Sequence, residues 1–163
     1  MLASCSAKYT VSQSAGTEAS AVRLDRSKLV YVGVPEDGAY GERVYGGSGQ
    51  AVAQAVANAF SQVAARVRVA DRPAKLEETL AAGKSAGAGY IVVPVITHWE
   101  HRNTAWSGIP SRMAIRVAIL DAANGAELTS SAVEGRSRIV SWTATSPESL
   151  LRAPLSEYVR SLY

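Results

Sequence analysis

A chain of 163 residues, 47% of them hydrophobic, suits one folded domain with a core large enough to be stable without staples. Its single cysteine excludes an intramolecular disulfide, and no run approaches the roughly 18 apolar residues of a membrane span, so any membrane contact must come through a lipid or the surface. The net charge of +3 is small and mixed along the chain; nucleic acid is discounted as a partner, because a phosphate footprint needs clustered Lys and Arg.

In chain order, the first motif is Leu2-Ala3-Ser4-Cys5, which has the form of a bacterial lipobox. In that reading Cys5 becomes the lipidated first residue of the mature protein, and the motif concerns targeting rather than structure. A secretory signal carries a basic segment and about 7–15 apolar residues before its cleavage site, so the reading expects the true start to lie upstream of Met1. Residues 6 to 27 are rich in Ser, Ala and Thr with almost no apolar periodicity. They form the expected polar tether, with a root-mean-square reach on the order of 25 Å if flexible. The expected organisation is therefore lipobox and tether over 1–27 and a globular domain over 28–163.

Lys28 to Val34 is β-branched and aromatic and ends at Pro35, which predicts a first, buried strand. Pro35 to Gly49 is Gly-rich and predicts a long loop. From Gln50 to Arg66, Val52, Val56, Phe60 and Val63 recur at helical spacing, with Ser48 as the N-cap. Val67 to Ala70 predicts a short second strand, and Ala74 to Ala86, followed by Gly87 and Gly89, a second helix. Tyr90 to Thr97 predicts a central strand, although Pro94 argues for a bulge or an edge there. Arg112 to Asp121 alternates, with Met113, Ile115, Val117 and Ile119 on one face. Asn124-Gly125 signals a hairpin, and residues 126 to about 142 return as a more polar strand. A last helix starts at Ser146-Pro147-Glu148; Leu151, Leu155, Tyr158 and Leu162 share one face, and Pro154 should kink or split it. The order β-α-β-α-β-β-β-α predicts an α/β (α+β) fold: one domain, a mixed sheet packed by helices.

Several residue types invite chemistry. His98, Glu100 and His101 are possible metal ligands, but on a strand His98 and Glu100 share a face from which His101 points away, and the chain has no third His; a solvated strand end outweighs a metal site. Glu36 and Asp37 sit in a Gly-rich stretch that lacks the phosphate-loop template and its lysine, so a plain turn outweighs a catalytic pair. Ser48, Ser107 and Ser141 lack a nucleophile elbow. No cofactor is expected. The most unusual stretch runs from His98 to Arg112. About 12 residues stand where a hairpin needs 2–5, and Trp99 and Trp106 lie among Arg102 and Arg112. Aromatic and Arg residues together are what binding hot spots favour, and Arg136 and Arg138 could extend a cationic patch. The alternative is that both tryptophans cap the core.

The order of elements and the run Ala86-Gly-Ala-Gly-Tyr-Ile-Val-Val-Pro-Val-Ile96 resemble the domain shared by curli-secretion-type and penicillin-binding-protein-activator-type outer-membrane lipoproteins and the N-terminal domain of the periplasmic Tol protein. More closely, Val34-Pro-Glu-Asp-Gly38, the stretch from His98-Trp-Glu100 to Pro110-Ser-Arg112, and Glu134-Gly-Arg-Ser-Arg138 through Thr145-Ser-Pro-Glu-Ser-Leu-Leu151 resemble a proteobacterial lipoprotein family catalogued only as a domain of unknown function. The likeness covers Lys28 to Tyr163. It implies a signal peptide and a lipid on Cys5, and brings no activity with it. Ser6 stands where an aspartate would retain a lipoprotein in the inner membrane, so the implied place is the periplasmic face of the outer membrane. The expectation is a lipid-anchored binding or assembly module whose partner is an envelope protein or glycan. Two rivals remain open: a small hydrolase or metal-dependent enzyme using Glu36, Asp37 and the His98–His101 segment, and a cytoplasmic domain with a fortuitous lipobox.

Overall fold

A computed structural model describes residues 8–14, 22–100, 112–136 and 149–163. Six strands form one mixed sheet: β1 (Lys8–Ser14), β2 (Leu29–Val34), β5 (Arg66–Pro73), β6 (Tyr90–Glu100), β7 (Arg112–Asp121) and β8 (Glu127–Arg136). Across the sheet the order is β1-β8-β7-β6-β2-β5, with β2 parallel to β5 and β6 and the remaining pairs antiparallel. Two further strands, β3 (Ala39–Tyr40) and β4 (Arg43–Val44), make a minimal hairpin inside the stretch expected to be loop.

The helices are α1 (Ser48–Phe60), α2 (Leu76–Ser85) and α3 (Ser149–Ser161). None of the described helices is long and apolar enough to cross a membrane. Each crossover between the parallel strands carries a helix, and because the chain steps from β2 out to β5 and then back past β2 to β6, right-handed connections put the two helices on opposite faces of the sheet. On one face α1 packs against β2, β5, β6 and α3, and α3 packs against β8 and β1. Val52, Val56 and Phe60 are fully buried there with Ile115, Val117 and Val133 of the sheet, as the helical and alternating spacings predict. On the other face Tyr31, Ile91, Leu120 and Ala122 form a smaller cluster with Leu80 of α2 and its flanking alanines.

Local chemistry sets the connections. Gly125 takes a φ of 76° in the β7–β8 hairpin, where Asn124 Oδ1 accepts the Ala126 amide at 2.8 Å and Asp121 Oδ1 the Ala123 amide at 2.7 Å. Pro94 falls just past Val92, where β6 stops pairing with β2, so the strand there is held on one flank only and tolerates a residue without an N–H. Pro154 lies within a single uninterrupted helix, so α3 is not split, and its buried face, Leu151, Leu155, Tyr158 and Leu162, is the expected one.

The tether expectation requires a correction. Lys8–Ser14 is not free chain but the edge strand β1, paired in register along β8 from Lys8↔Arg136 to Ser14↔Ser130. Residues 22–27 are also docked: the Leu24 amide donates to the Leu162 carbonyl at 2.7 Å, and the Asp25 amide donates to the Tyr90 hydroxyl at 3.0 Å. Polar composition hid a strand whose backbone satisfies the open edge of β8, a gain that no side-chain periodicity records. Ser48 is likewise not the N-cap but the first residue of α1, after Gly47.

Candidate binding surface on the open sheet face

Arg112 opens β7, and the alternation that buries Met113 and Ile115 turns Arg112, Ala114 and Arg116 to the opposite side. Of the described helices only α2 lies on that side, over the end that carries Ile91 and Leu120, and none of them covers the β7–β8 half. Arg116 spans its strands, donating from one guanidinium nitrogen to both Glu127 carboxylate oxygens at 2.9 and 3.0 Å and to Ser130 Oγ at 3.2 Å. Both partners of this ion pair are substantially exposed, so it orders the surface more than it stabilises the fold. Val95, 46% exposed, lies beside Arg116 in register. Further along, His98, Ala114 and Glu134 stand in one cross-strand row, and because Ala114 is short the row leaves a shallow hollow of about 190 Å³, with Arg112 on its rim.

A bulge decides which residues of β6 reach this face. Ile96 pairs with Ile115 but His98 pairs with Ala114, so Thr97 is an extra residue in β6. Strict alternation from Ile96 would send His98 into the core and Trp99 outward. The extra residue exchanges them: Trp99 stands opposite Met113 and is 3% exposed, while His98 faces out and its Nε2 lies 3.3 Å from Oε2 of Glu100. Trp99, expected among the partner-binding residues, is therefore part of the core. The segment that leads into β3 seals it, for a Cβ added to Gly38 would stand 2.6 Å from Trp99 Cβ, and Tyr40 of β3 meets the His98 ring edge-on at 5.6 Å. Only glycine allows that approach.

Asp37 has a structural occupation. Its Oδ2 accepts the Gly47 amide at 3.1 Å and its Oδ1 the Gly49 amide at 2.8 Å, while Gly38 donates its amide to Ser48 Oγ at 2.8 Å. A helix that begins without a side-chain cap of its own thus receives a carboxylate from a loop ten residues upstream, where the helix dipole favours negative charge. Glu36 is exposed beside it. Among the described residues no group of three His, Cys, Asp or Glu could hold a metal ion. A second concavity, about 430 Å³, runs between α1 and α3 over Ala51, Ala55 and Ala59, with Gln54, Asn58 and Arg152 on its rims.

Of the other expected site residues, Arg136 is placed by register opposite Arg112 at the end of β8. Cys5, His101, Arg102, Trp106, Ser107, Arg138 and Ser141 lie outside the described residues. Sequence reasoning missed Lys8, which register sets opposite Arg136 on the far flank of β8. The alternation of Tyr9 and Val11 with Thr10 and Ser12 is the signal that could have revealed its strand.

A family model described as a domain of unknown function (DUF4823) matches residues 22–162. The chain belongs to this family. Its fold is similar to that of PelC from Paraburkholderia phytofirmans, solved as a dodecamer, with 23% identity and a TM-score of 0.67 over 91% of this chain and 96% of that one. Protein XCC0632 from Xanthomonas campestris is similar at 15% identity and a TM-score of 0.54, over 91% of this chain and 90% of that one. Lipoprotein GNA1162 from Neisseria meningitidis is similar at 13% identity and a TM-score of 0.53, over 83% of this chain and 99% of that one. At these identities the likeness is one of fold. No curated protein matches the chain.

Proposed function

We propose that this DUF4823 protein is a lipid-anchored, periplasm-facing binding or assembly module of the bacterial cell envelope. The observation that carries the reading is the lipobox-like Leu2-Ala3-Ser4-Cys5 a few residues before a domain whose fold is shared with a solved lipoprotein. That PelC is solved as a dodecamer adds support for a role in assembly. Binding is supported by what the described residues do: Asp37 holds the start of α1, and the β7–β8 strands present charged side chains around a shallow hollow. In this reading an envelope protein or glycan is engaged near the end of the sheet that carries Arg112 and Arg136, with Arg102, Trp106 and Arg138 contributing from the adjoining segments. Ser6 after the cysteine directs the protein to the outer membrane.

The anchor is tested in cells that express the gene from its natural upstream start. The protein should label with palmitate and sediment with outer membranes, and Cys5→Ala should abolish the labelling; a multiply acylated cysteine supplies the two or more chains that stable anchoring requires. Undiminished labelling of Cys5→Ala would sink the reading.

A further inference from the structure

β5 closes the sheet on the side opposite β1, and among the described residues no strand pairs with its outer edge. Its backbone groups on that side are therefore open to a further strand. Register sorts the side chains along this edge. Val67 and Val69 lie level with Val30 and Val32 and are half-buried against the main core, whereas Arg66 and Arg68 lie level with Leu29 and Tyr31 on the other face and are exposed. The ladder is regular from Arg66 to Val69 and slips before Val34 meets Pro73. Arg66 donates to the Ser27 carbonyl at 3.5 Å, and among the described residues neither Arg66 nor Arg68 forms an ion pair.

Shape and charge together select the occupant. The open edge has an apolar flank on one face and two cations on the other, so the strand that fits it alternates apolar residues with acids. A second copy of this chain does not meet that requirement. Laid antiparallel on the same edge, it would set Arg66 or Arg68 opposite an arginine of the first copy, and like charges directly opposite one another in a ladder are destabilising. A glycan or a lipid headgroup would meet the cations but leave the ladder groups unpaired. We propose that the outer edge of β5 takes up an extended acidic segment of another protein, which adds to the sheet as a strand beside β5 and sets its carboxylates against Arg66 and Arg68. The same two arginines then exclude self-pairing and admit an acid. This edge is separate from the end of the sheet that carries Arg112 and Arg136, so it gives the module a second contact rather than extending the first.

The test uses the purified full chain carrying Cys5→Ser and a fluorescein-labelled synthetic peptide, TVEVEVEVT, whose binding is read by anisotropy. Saturable binding is expected. It should be lost with TVKVKVKVT, and with TVEPEVEVT, which keeps every acid but has a proline inside the strand. On binding, the amides of residues 66–70 should exchange with deuterium several-fold more slowly. Arg66→Gln and Arg68→Gln should each weaken binding about two- to fivefold, the span of a cross-strand charge pair, and together about tenfold. Reversal of both, Arg66→Glu with Arg68→Glu, should switch the preference to TVKVKVKVT. Lys84→Gln, which removes an exposed cation from α2, should leave binding unchanged. Circular dichroism of each variant confirms that the sheet is intact; if the glutamine variants have lost it, Arg66→Lys with Arg68→Lys, which keeps both charges, should bind as the parent does. Equal binding of the acidic and basic peptides, no binding of TVEVEVEVT, an equal loss with Lys84→Gln, or binding that leaves exchange over residues 66–70 unchanged would each overturn the inference, the last by revealing a charge contact without strand addition. Because no acyl chain is involved, failure here leaves the palmitate result standing, and the reverse also holds.

Discussion

The carboxylate of Asp37 accepts the two amides that open α1 and lies 3.4 Å from the Ser48 hydroxyl, so its removal deprives the part-buried Gly49 amide and Ser48 hydroxyl, as well as the exposed Gly47 amide, of an acceptor. Asp37→Ala should therefore lower stability by about 1–2 kcal/mol, the upper part of the range for lost caps, seen as a reduced urea midpoint with unchanged slope. A gain in stability would instead mark Asp37 as a strained functional acid. At the chain's end Tyr163 closes over Phe60 edge-on, with Arg26 5.6 Å from its ring centre. Burial first, then the neighbouring Tyr90, pushes its hydroxyl up to about 12, with Arg26 acting in the opposite direction. Burial also raises Tyr158, whose hydroxyl lies near Thr129 without a well-formed hydrogen bond. A folded-state value above the unfolded one means that the stability is fully present below about pH 10 and is lost as pH rises from there towards 12. Tyr163→Phe removes a buried hydroxyl that has no partner among the described residues. It should leave stability within about 0.5 kcal/mol at neutral pH and flatten the alkaline limb of a melting-temperature profile. An unchanged alkaline limb would show that Tyr163 does not carry it.

Among the elements, α1 was the most legible, because Val52, Val56 and Phe60 recur at a helical period and all three are fully buried. Phe60 fills the space between α1 and the sheet, so Phe60→Ala should cost about 3–5 kcal/mol in denaturant titration, the cost of a core aromatic truncated into a cavity. A loss below roughly 1 kcal/mol would show that the face is not packed. β7 was legible for the corresponding reason, an apolar period of two over Met113 to Ile119. β5 ran longer than expected, Arg66–Pro73 rather than 67–70, because Arg66, Arg68 and Arg72 mask an edge strand that needs no second buried face. β1 was missed for a stronger form of the same reason. Its strand character comes from ladder bonds to β8, and the one sequence signal in its seven residues, KYTVSQS, is the brief alternation at Tyr9 and Val11, short against the surrounding Ser and Ala.

Over the whole molecule, apolar periodicity and turn chemistry were enough to determine the order of the main elements from β2 onward and a mixed sheet packed by helices, though not β1 or the short β3–β4 hairpin, since the former follow from which side chains must leave water. The lipobox-like tetrapeptide and the family resemblance were also read from residues alone, and DUF4823 membership over 22–162 agrees with the resemblance. The candidate surface was less legible. Arg112 and Arg136 were singled out as single cations, but their meeting across β7 and β8, and the addition of Lys8 from more than a hundred residues away, are facts of register. Trp99 went the other way. Its type suggested a contact residue, and one inserted residue, Thr97, turned it inward, because a bulge reverses alternation without any signature in the pattern it interrupts. The sequence alone thus determined what is buried along each element, a local matter of period and composition. Only the tertiary structure decided which residues stand opposite one another and that Lys8–Ser14 belongs to the sheet, because both depend on long-range pairing of strands whose partners carry no mark of one another.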